Sequence, residues 1–165
     1  MASGEVLDTA ALIEWPLERI DGGMVLDSQM GELSRVAPDR LALLEAVEVE
    51  WASPGDAAIE AAGKLAMQTG DMAGLSSIDL NLLALAMEHG ATLFTDDYRL
   101  QNLCEKGGIP WDSVSTRGIS SIWSWEIRCT GCGAEQEIPS QTPVKKGDIG
   151  TCNGCGSPLR IKRKK

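Results

Sequence analysis

The sequence predicts an α/β fold, in which a mostly parallel sheet carries helices on both faces, followed by a small cysteine-bearing module. Short apolar runs alternate with helical patterns over about the first 115 residues, and this alternation is typical of parallel sheets. Four of the five cysteines fall in the last quarter of the chain. Hydrophobic residues make up 43% of the 165 residues and charged residues 24%, which excludes a disordered chain and a disulfide-held mini-protein.

Candidate strands and helices follow one another along this first part of the chain. The candidate strands are residues 5–8, 24–26, 47–51 and 91–94. The first three candidate helices are residues 9–15 before Pro16, residues 28–36, and a helix opened by Pro38. An Ala-rich helix then runs from Pro54 to Thr69 before Gly70, and the next helix is capped by Ser76 or Ser77 and stopped by Gly90. A short helix lies near Tyr98. Cys104 lies in a helical context and is expected to fill the core.

The four C-terminal cysteines form two Cys-x-x-Cys pairs with 19 residues between them: Cys129, Cys132, Cys152 and Cys155. This spacing is typical of a structural zinc site with four thiolates, and a glycine suited to a tight turn follows each pair. Residues 123–128 alternate like a strand, and the segment between the pairs has a hairpin-like pattern. The sequence therefore predicts a zinc ribbon that folds on its metal, because roughly 40 residues bury too little core to fold alone.

The charge divides the chain in the same place. Residues 126–165 carry eight basic and four acidic side chains, whereas residues 1–125 carry 7 basic and 20 acidic ones, a net charge of -13. Residues 112–121 form the best linker, so we expect a domain of residues 1–118 and a ribbon of residues 119–165. The basic end, residues 160–165, is either a solubilising tail or an arm that contacts phosphates. Trp123 and Trp125 either stack on bases or cover the domain junction.

Acidic residues stand where ligands bind in parallel sheets, beyond the carboxyl ends of strands. Asp8 ends the first predicted strand, and Asp96 and Asp97 follow the fourth. Asp79 lies in the first turn of one helix and Glu32 one turn into another. Carboxylates that converge at one rim repel one another unless a cation neutralises them, and a set of oxygen ligands suits Mg²⁺ or Mn²⁺.

Each of these acids also has a purely structural interpretation. Asp8 and one of Asp96 or Asp97 would cap the helices that follow them. Asp79 would form a capping box with Ser76, and Glu32 would pair with Arg35. The one histidine, His89, precedes a helix-ending glycine, and the chain offers no His-based catalytic triad.

Taken together, these segments resemble the PIN-domain nucleases. The resemblance lies in residues 6–9, 30–33, 75–80 and 95–97. Residues 69–71, 95–98 and 101–102, followed by the two cysteine pairs, are further similar to archaeal Nob-type endoribonucleases, which mature the 3′ end of small-subunit ribosomal RNA.

The resemblance implies a three-layer PIN-like fold and a metal-dependent endoribonuclease that acts on pre-rRNA in the small ribosomal subunit precursor. By position it implies an acidic quartet that holds magnesium or manganese and forms the catalytic site: Asp8, Glu32, Asp79 and either Asp97 or Asp96. The family's Thr-x-Asp pattern favours Asp97. Thr9 or Thr95 would orient a carboxylate or a water.

Two other functions fit the sequence. A PIN-type toxin ribonuclease would share the acids but would not need the ribbon, and a non-catalytic assembly factor would use the ribbon alone. No apolar run reaches the roughly 18 residues of a membrane span, and residues 1–8 do not read as a signal peptide. We therefore expect a cytoplasmic protein with reduced cysteines and no membrane partner.

Overall fold

A computed structural model describes residues 4–115, 124–143 and 149–164. Its first part is built on a five-stranded parallel sheet in the order β3-β2-β1-β4-β5. The strands are β1 (Glu5–Leu7), β2 (Met24–Leu26), β3 (Glu50–Ala52), β4 (Thr92–Phe94) and β5 (Trp111–Asp112). The predicted parallel sheet is confirmed.

Helices cover both faces of this sheet. One face carries α1 (Thr9–Glu14), α2 (Leu17–Ile20), α3 (Gln29–Val36) and α4 (Pro38–Leu43), and the other carries α5 (Asp56–Thr69), α6 (Ser77–His89) and α7 (Tyr98–Gly107). Successive strand residues point to opposite faces, so Val6 joins the core under α5–α7 and Leu7 the core under α1–α4. The predicted three-layer architecture is therefore confirmed.

The predicted helix ends are also confirmed. Pro16 separates α1 from α2, because proline offers no N–H to continue a helix. Gly70 and Gly90 end α5 and α6 in the left-handed conformation, with φ of +78° and +60°.

Two strands differ from the prediction. The third strand begins at Glu50 rather than residue 47, because residues 44–46 form a 3₁₀ turn and Val47 and Val49 pack into the core under α1–α4 instead of pairing. Trp111 and Asp112, assigned in part to a linker, pair with β4 as the edge strand β5. The predicted domain boundary at residues 118 and 119 lies outside the described residues.

The C-terminal module is a three-stranded antiparallel sheet in the order β7-β6-β8. Its strands are β6 (Trp125–Cys129), β7 (Glu135–Gln136) and β8 (Leu159–Arg163). The strand predicted to lead into the first cysteine pair is β6. Trp123, Lys165 and part of the predicted hairpin, residues 144–148, lie outside the described residues.

Residues 160–163 of the basic end belong to a strand. β8 pairs with β6 along five residues, placing Arg160 opposite Arg128 and Lys162 opposite Glu126. Apolar Leu159 and Ile161 alternate with these cations, which gives the segment the two-residue period of a strand. As for membranes, none of the helices within the described residues has the length and apolar character needed to span one.

Candidate active site

The first and fourth strands bring their following acids to one edge of the sheet. β1 and β4 are parallel neighbours, with Leu7 opposite Phe94, so Asp8 and the pair Asp96 and Asp97 leave the sheet on the same side. After β1 the chain forms β2 and β3 on one side of β1 in the sheet, and it then crosses to form β4 on the other side. This edge is thus the topological switch point, where ligands bind in open α/β sheets.

Asp8 is held by two short hydrogen bonds. The Thr9 backbone N–H donates to Asp8 Oδ1 at 2.6 Å, and the Thr95 hydroxyl donates to Oδ2 at 2.6 Å. The first bond makes Asp8 the N-cap of α1, as its structural interpretation predicted. The second joins it to the loop after β4, a contact that helix capping does not require.

Burial raises the pKa of Asp8 to about 6, from an ordinary value of 3.8. The hydrogen bonds from Thr95 and Thr9 act in the opposite direction, and the negative charges of Asp79 and Asp97 raise the pKa further. Asp79 and Asp97 are therefore close enough to Asp8 to oppose its ionisation, and a cation beside Asp8 would relieve that repulsion.

Thr95 links Asp8 to Asp97. Its hydroxyl donates to Asp8 and accepts the Asp97 backbone N–H at 3.0 Å. Asp97 caps α7 by accepting the Arg99 backbone N–H at 2.8 Å. Thr95 is fully buried, so this single side chain fixes the relative positions of two candidate ligands.

Asp79 belongs to the capping box predicted with Ser76. The Ser76 backbone N–H donates to Asp79 Oδ2 at 3.0 Å, and the Asp79 backbone N–H donates to the Ser76 hydroxyl oxygen at 3.1 Å. The box orients the Asp79 carboxylate at the start of α6, so its structural interpretation is confirmed.

Glu32 reaches the same edge through Thr9. The Thr9 hydroxyl donates to Glu32 Oε2 at 2.7 Å, while the Thr9 backbone N–H holds Asp8. The alternative ion pair with Arg35 is not among those formed by the described residues. Thr9 therefore connects Asp8 to Glu32, as Thr95 connects Asp8 to Asp97.

Asp96 faces a different partner from its neighbour. Its Oδ1 accepts the backbone N–H of Val114 at 2.7 Å, and its Oδ2 accepts the hydroxyl of Ser115 at 2.8 Å. Asp96 thus fastens the segment after β5, whereas Asp97 joins the hydrogen-bond network of Asp8.

Two buried amides that the sequence did not single out support the site. Gln29 donates to the Leu7 carbonyl at 3.0 Å and to the Thr9 hydroxyl at 3.2 Å, and Gln101 donates to the Thr95 carbonyl at 2.8 Å. Both side chains have no solvent exposure. Gln101 lay within a segment that carried the resemblance, but nothing local in the sequence marked Gln29.

The four cysteines form a much tighter group. Their sulfur atoms all lie within 4.8 Å of one another, and among the described residues they are the one set of three or more His, Cys, Asp or Glu ligand atoms to do so. The Cys129 and Cys155 sulfurs are 3.3 Å apart, and those of Cys132 and Cys152 are 3.8 Å apart. The predicted cluster is therefore formed and could hold a metal ion.

Backbone N–H groups donate hydrogen bonds to two of these sulfur atoms. Gly131 donates to the Cys129 sulfur at 3.2 Å and Gly154 to the Cys152 sulfur at 3.3 Å. Hydrogen bonds from Ser157 lower the pKa of Cys155 to about 6. Gly133 and Gly156, which follow the two pairs, have φ of +74° and +77°, as their position in tight turns predicted.

Known proteins match both parts of the chain. The family described as PIN domain of ribonuclease matches residues 6–88. Endoribonuclease Nob1 of Pyrococcus abyssi is 32% identical over 158 residues, which are 94% of this chain and 91% of the relative. Endoribonuclease Nob1 of Archaeoglobus fulgidus is 35% identical over 122 residues, 71% of this chain and 66% of the relative. Ribonuclease VapC1 of Thermoplasma acidophilum is 28% identical over 156 residues, 94% of this chain and 76% of the relative.

The matched regions agree with the architecture. The PIN region contains Asp8, Glu32 and Asp79 and ends before Asp97, while the Pyrococcus relative aligns across nearly the whole chain. The chain belongs to the PIN-domain ribonucleases and, among them, to the Nob1 endoribonucleases.

Proposed function

We propose that this protein hydrolyses RNA with divalent ions held by Asp8, Glu32, Asp79 and Asp97. The observation that carries the proposal is the hydrogen-bond network at the switch point of the sheet, where Thr9 joins Glu32 to Asp8 and Thr95 joins Asp8 to Asp97. Because burial and like charges oppose ionisation of Asp8, a cation is needed to hold these groups together in their charged state. Their oxygen ligands fit Mg²⁺ or Mn²⁺.

We expect a divalent ion at this edge to keep part of its hydration shell. The carboxylates form a looser group than the cysteines, and Mg²⁺ usually keeps several waters and binds through one or two carboxylates. A divalent ion supplies Lewis acidity there, which acidifies a water and stabilises charge on the phosphoryl and leaving oxygens. Thr95 holds Asp8 and Asp97 in position, and Thr9 does the same for Asp8 and Glu32.

Asp97 rather than Asp96 is the acid that we assign to the site, and the pair offers a matched test. Asp97→Asn should reduce RNA cleavage by roughly 100-fold or more, since it removes a charge from the ion-binding set. Asp96→Asn should change cleavage by less than about threefold, because an amide oxygen still accepts from Val114 and Ser115. Single-turnover cleavage rates at saturating Mn²⁺ measure both. Equal losses would contradict the assignment.

We propose zinc for the cysteine cluster. A tetrahedral zinc with Zn–S bonds of about 2.3 Å separates its sulfurs by roughly 3.8 Å, which agrees with the Cys132–Cys152 distance of 3.8 Å and is longer than the Cys129–Cys155 distance of 3.3 Å. A reducing cytoplasm, which keeps the four thiols available to the metal, is the compartment we propose.

The ribbon is the part of the chain that suits RNA. The PIN domain is strongly acidic, whereas alternate residues in and just after β8 place basic side chains on one face of the ribbon beside Arg128. These residues are Arg160 and Lys162 in β8 and Lys164, which follows it. We propose that they contact phosphates of the substrate, a precursor of small-subunit ribosomal RNA in its assembling subunit.

The salt dependence of RNA binding tests this face. The double variant Lys162→Gln and Lys164→Gln should flatten the slope of log affinity against log salt by roughly 1.4, at about 0.7 per phosphate contact with a single strand. The matched control, Lys64→Gln and Lys106→Gln, removes two lysines from α5 and α7 and should leave the slope unchanged. Fluorescence anisotropy with labelled RNA measures it. Equal slopes in all three proteins would exclude the ribbon as the phosphate-contacting face.

The proposed activity is tested with a precursor RNA that spans the 3′ end of the small-subunit rRNA. Protein and precursor are incubated with and without Mn²⁺, and the products are mapped on a gel. Cleavage at one position that requires Mn²⁺ supports the proposal. Cleavage at many positions would favour a toxin-like ribonuclease. The similarity to VapC1 supports this alternative, but its identity to the chain, 28%, is lower than the 32% of the Pyrococcus Nob1. No cleavage under any condition would favour the non-catalytic assembly factor.

A further inference from the structure

Arg99 lies where the PIN domain meets the ribbon. Its guanidinium carbon is 4.4 Å from the centre of the Trp125 ring, at the start of β6. Its Nη1 is 3.5 Å from Asp71 Oδ1, in the turn that follows α5. A cation between a carboxylate and an aromatic face is favourably placed on both sides.

Asp71 stabilises the Arg99 guanidinium at this position. Its side chain has no solvent exposure, and it also accepts the Asn102 amide at 3.0 Å. Burial raises the pKa of Asp71, and Asn102 and Arg99 act in the opposite direction. Because a buried carboxylate without its cation is destabilised, Asp71 holds the guanidinium at the junction.

Two glycines make room for this arrangement. A Cβ at Gly74 would meet the Arg99 guanidinium, with its Nε at 2.6 Å. A Cβ at Gly70 would collide with the backbone carbonyl of Trp125. The turn between α5 and α6 is therefore shaped to accept both Arg99 and the first residue of β6.

The same residue touches the active-site edge through its backbone. The Arg99 N–H donates to Asp97 Oδ1 at 2.8 Å, and the Asp97 N–H in turn donates to the Thr95 hydroxyl that holds Asp8. One residue thus contacts the ribbon with its side chain and a candidate metal ligand with its main chain.

We propose that Arg99 is a positioning residue that couples docking of the ribbon to the geometry of the active site. Trp125 and Asp71 hold the Arg99 guanidinium in place. Arg99 in turn fixes the first turn of α7, and its backbone N–H in that turn holds the Asp97 carboxylate. The inference rests on the proposed function, since it assigns Asp97 to the ion-binding set. When the ribbon leaves the junction, the first turn of α7 loosens and the site binds its divalent ion less tightly.

The test is a titration of the zinc-loaded, full-length protein with Mn²⁺, read by water-proton relaxation, in the absence of RNA. Trp125→Ala should weaken Mn²⁺ binding by roughly three- to tenfold, which lies within the range of couplings of this kind. Trp125→Phe keeps an aromatic face and should stay within about twofold of the wild type. Gly74→Ala displaces the guanidinium from the PIN side and should reproduce the effect of Trp125→Ala.

Arg19 provides the matched control, because its guanidinium also lies over a tryptophan, 4.2 Å from the Trp15 ring, and pairs with an acid, Glu5. Arg19→Ala should leave Mn²⁺ binding unchanged. Wild-type affinity in both Trp125→Ala and Gly74→Ala would overturn the inference and leave the proposed function standing. A wild-type protein that binds no Mn²⁺ at this edge would overturn the proposed function, and the inference with it.

Discussion

Asp8→Asn should reduce RNA hydrolysis by roughly 100- to 1,000-fold, the loss typical of removing one group that stabilises charge in a transition state. Asparagine preserves the shape of the side chain, and its Oδ1 still accepts the Thr9 N–H, while its NH2 group takes the place of Oδ2 and donates to the Thr95 hydroxyl oxygen. The charge at the centre of the acidic set is lost, and the hydrogen bond with Thr95 reverses its direction. Single-turnover cleavage of the precursor RNA at saturating Mn²⁺ measures the effect, and a loss of less than about tenfold would contradict a central role for Asp8.

The same substitution should stabilise the protein when Mg²⁺ and Mn²⁺ are absent. The native pKa of Asp8, about 6, lies above its ordinary value of 3.8, so between these values the native state binds more protons than the unfolded state. The free energy of unfolding therefore falls as pH rises through this window, and the full penalty is present above pH 6. Asp8→Asn removes a penalty on the order of 3 kcal/mol, at about 1.4 kcal/mol for each pKa unit.

Thermal unfolding of the zinc-loaded proteins at two pH values measures this difference. At pH 8 the variant should unfold at a higher temperature than the wild type, and near pH 4 the two should converge. Saturating Mn²⁺ should reverse the order at pH 8, because only the wild type gains stability from the bound ion. A variant that is less stable at both pH values would show that burial of Asp8 carries no penalty.

Removal of zinc should unfold the ribbon and leave the five-stranded sheet folded. The buried hydrophobic residues of the ribbon, within its described part, are Ile127, Cys129 and Cys152, so the metal replaces most of a core. Cys152→Ser should lower the bound zinc below one ion per chain and remove the dispersed amide signals of β6 and β8 from the NMR spectrum. The amide signals of β1 and β4 should persist.

Cys104 is the matched control for this experiment. It is fully buried in α7, and burial raises the pKa of its thiol to about 12, so it is neither exposed nor ionised. Cys104→Ala should bind one zinc and keep the β6 and β8 signals. A Cys152→Ser protein with an intact ribbon would contradict the claim that the metal supplies its folding energy.

The sequence predicted the parts of the site that depend on local pattern. Asp8 and Asp97 follow apolar strands, and Asp79 stands three residues after Ser76, so their places at strand and helix ends could be read from neighbours. Contacts between residues that are far apart in the sequence could not be predicted in this way. Glu32 reaches Asp8 only through Thr9, 23 residues away, and no local period encodes that pairing.

Asp96 and Asp97 show the same limit. Both follow β4, and what separates them is the partner of Asp96, the segment after β5. That strand is two residues long and was assigned in part to a linker, because so short an edge strand has no repeating pattern. Strand β8 was also not predicted from the sequence. The many basic residues at this end of the chain obscured the alternation of Leu159 and Ile161.

The most direct test of divalent-ion binding by these acids is a crystal of the protein grown with Mn²⁺ and measured at the manganese absorption edge. We expect an anomalous peak at the switch point, within coordination distance of Asp8, Asp79 and Asp97, either directly or through one water. The cysteine cluster should instead give a peak at the zinc edge. Well-ordered acidic side chains with no manganese between them at saturating concentration would contradict the claim that these acids hold a divalent ion.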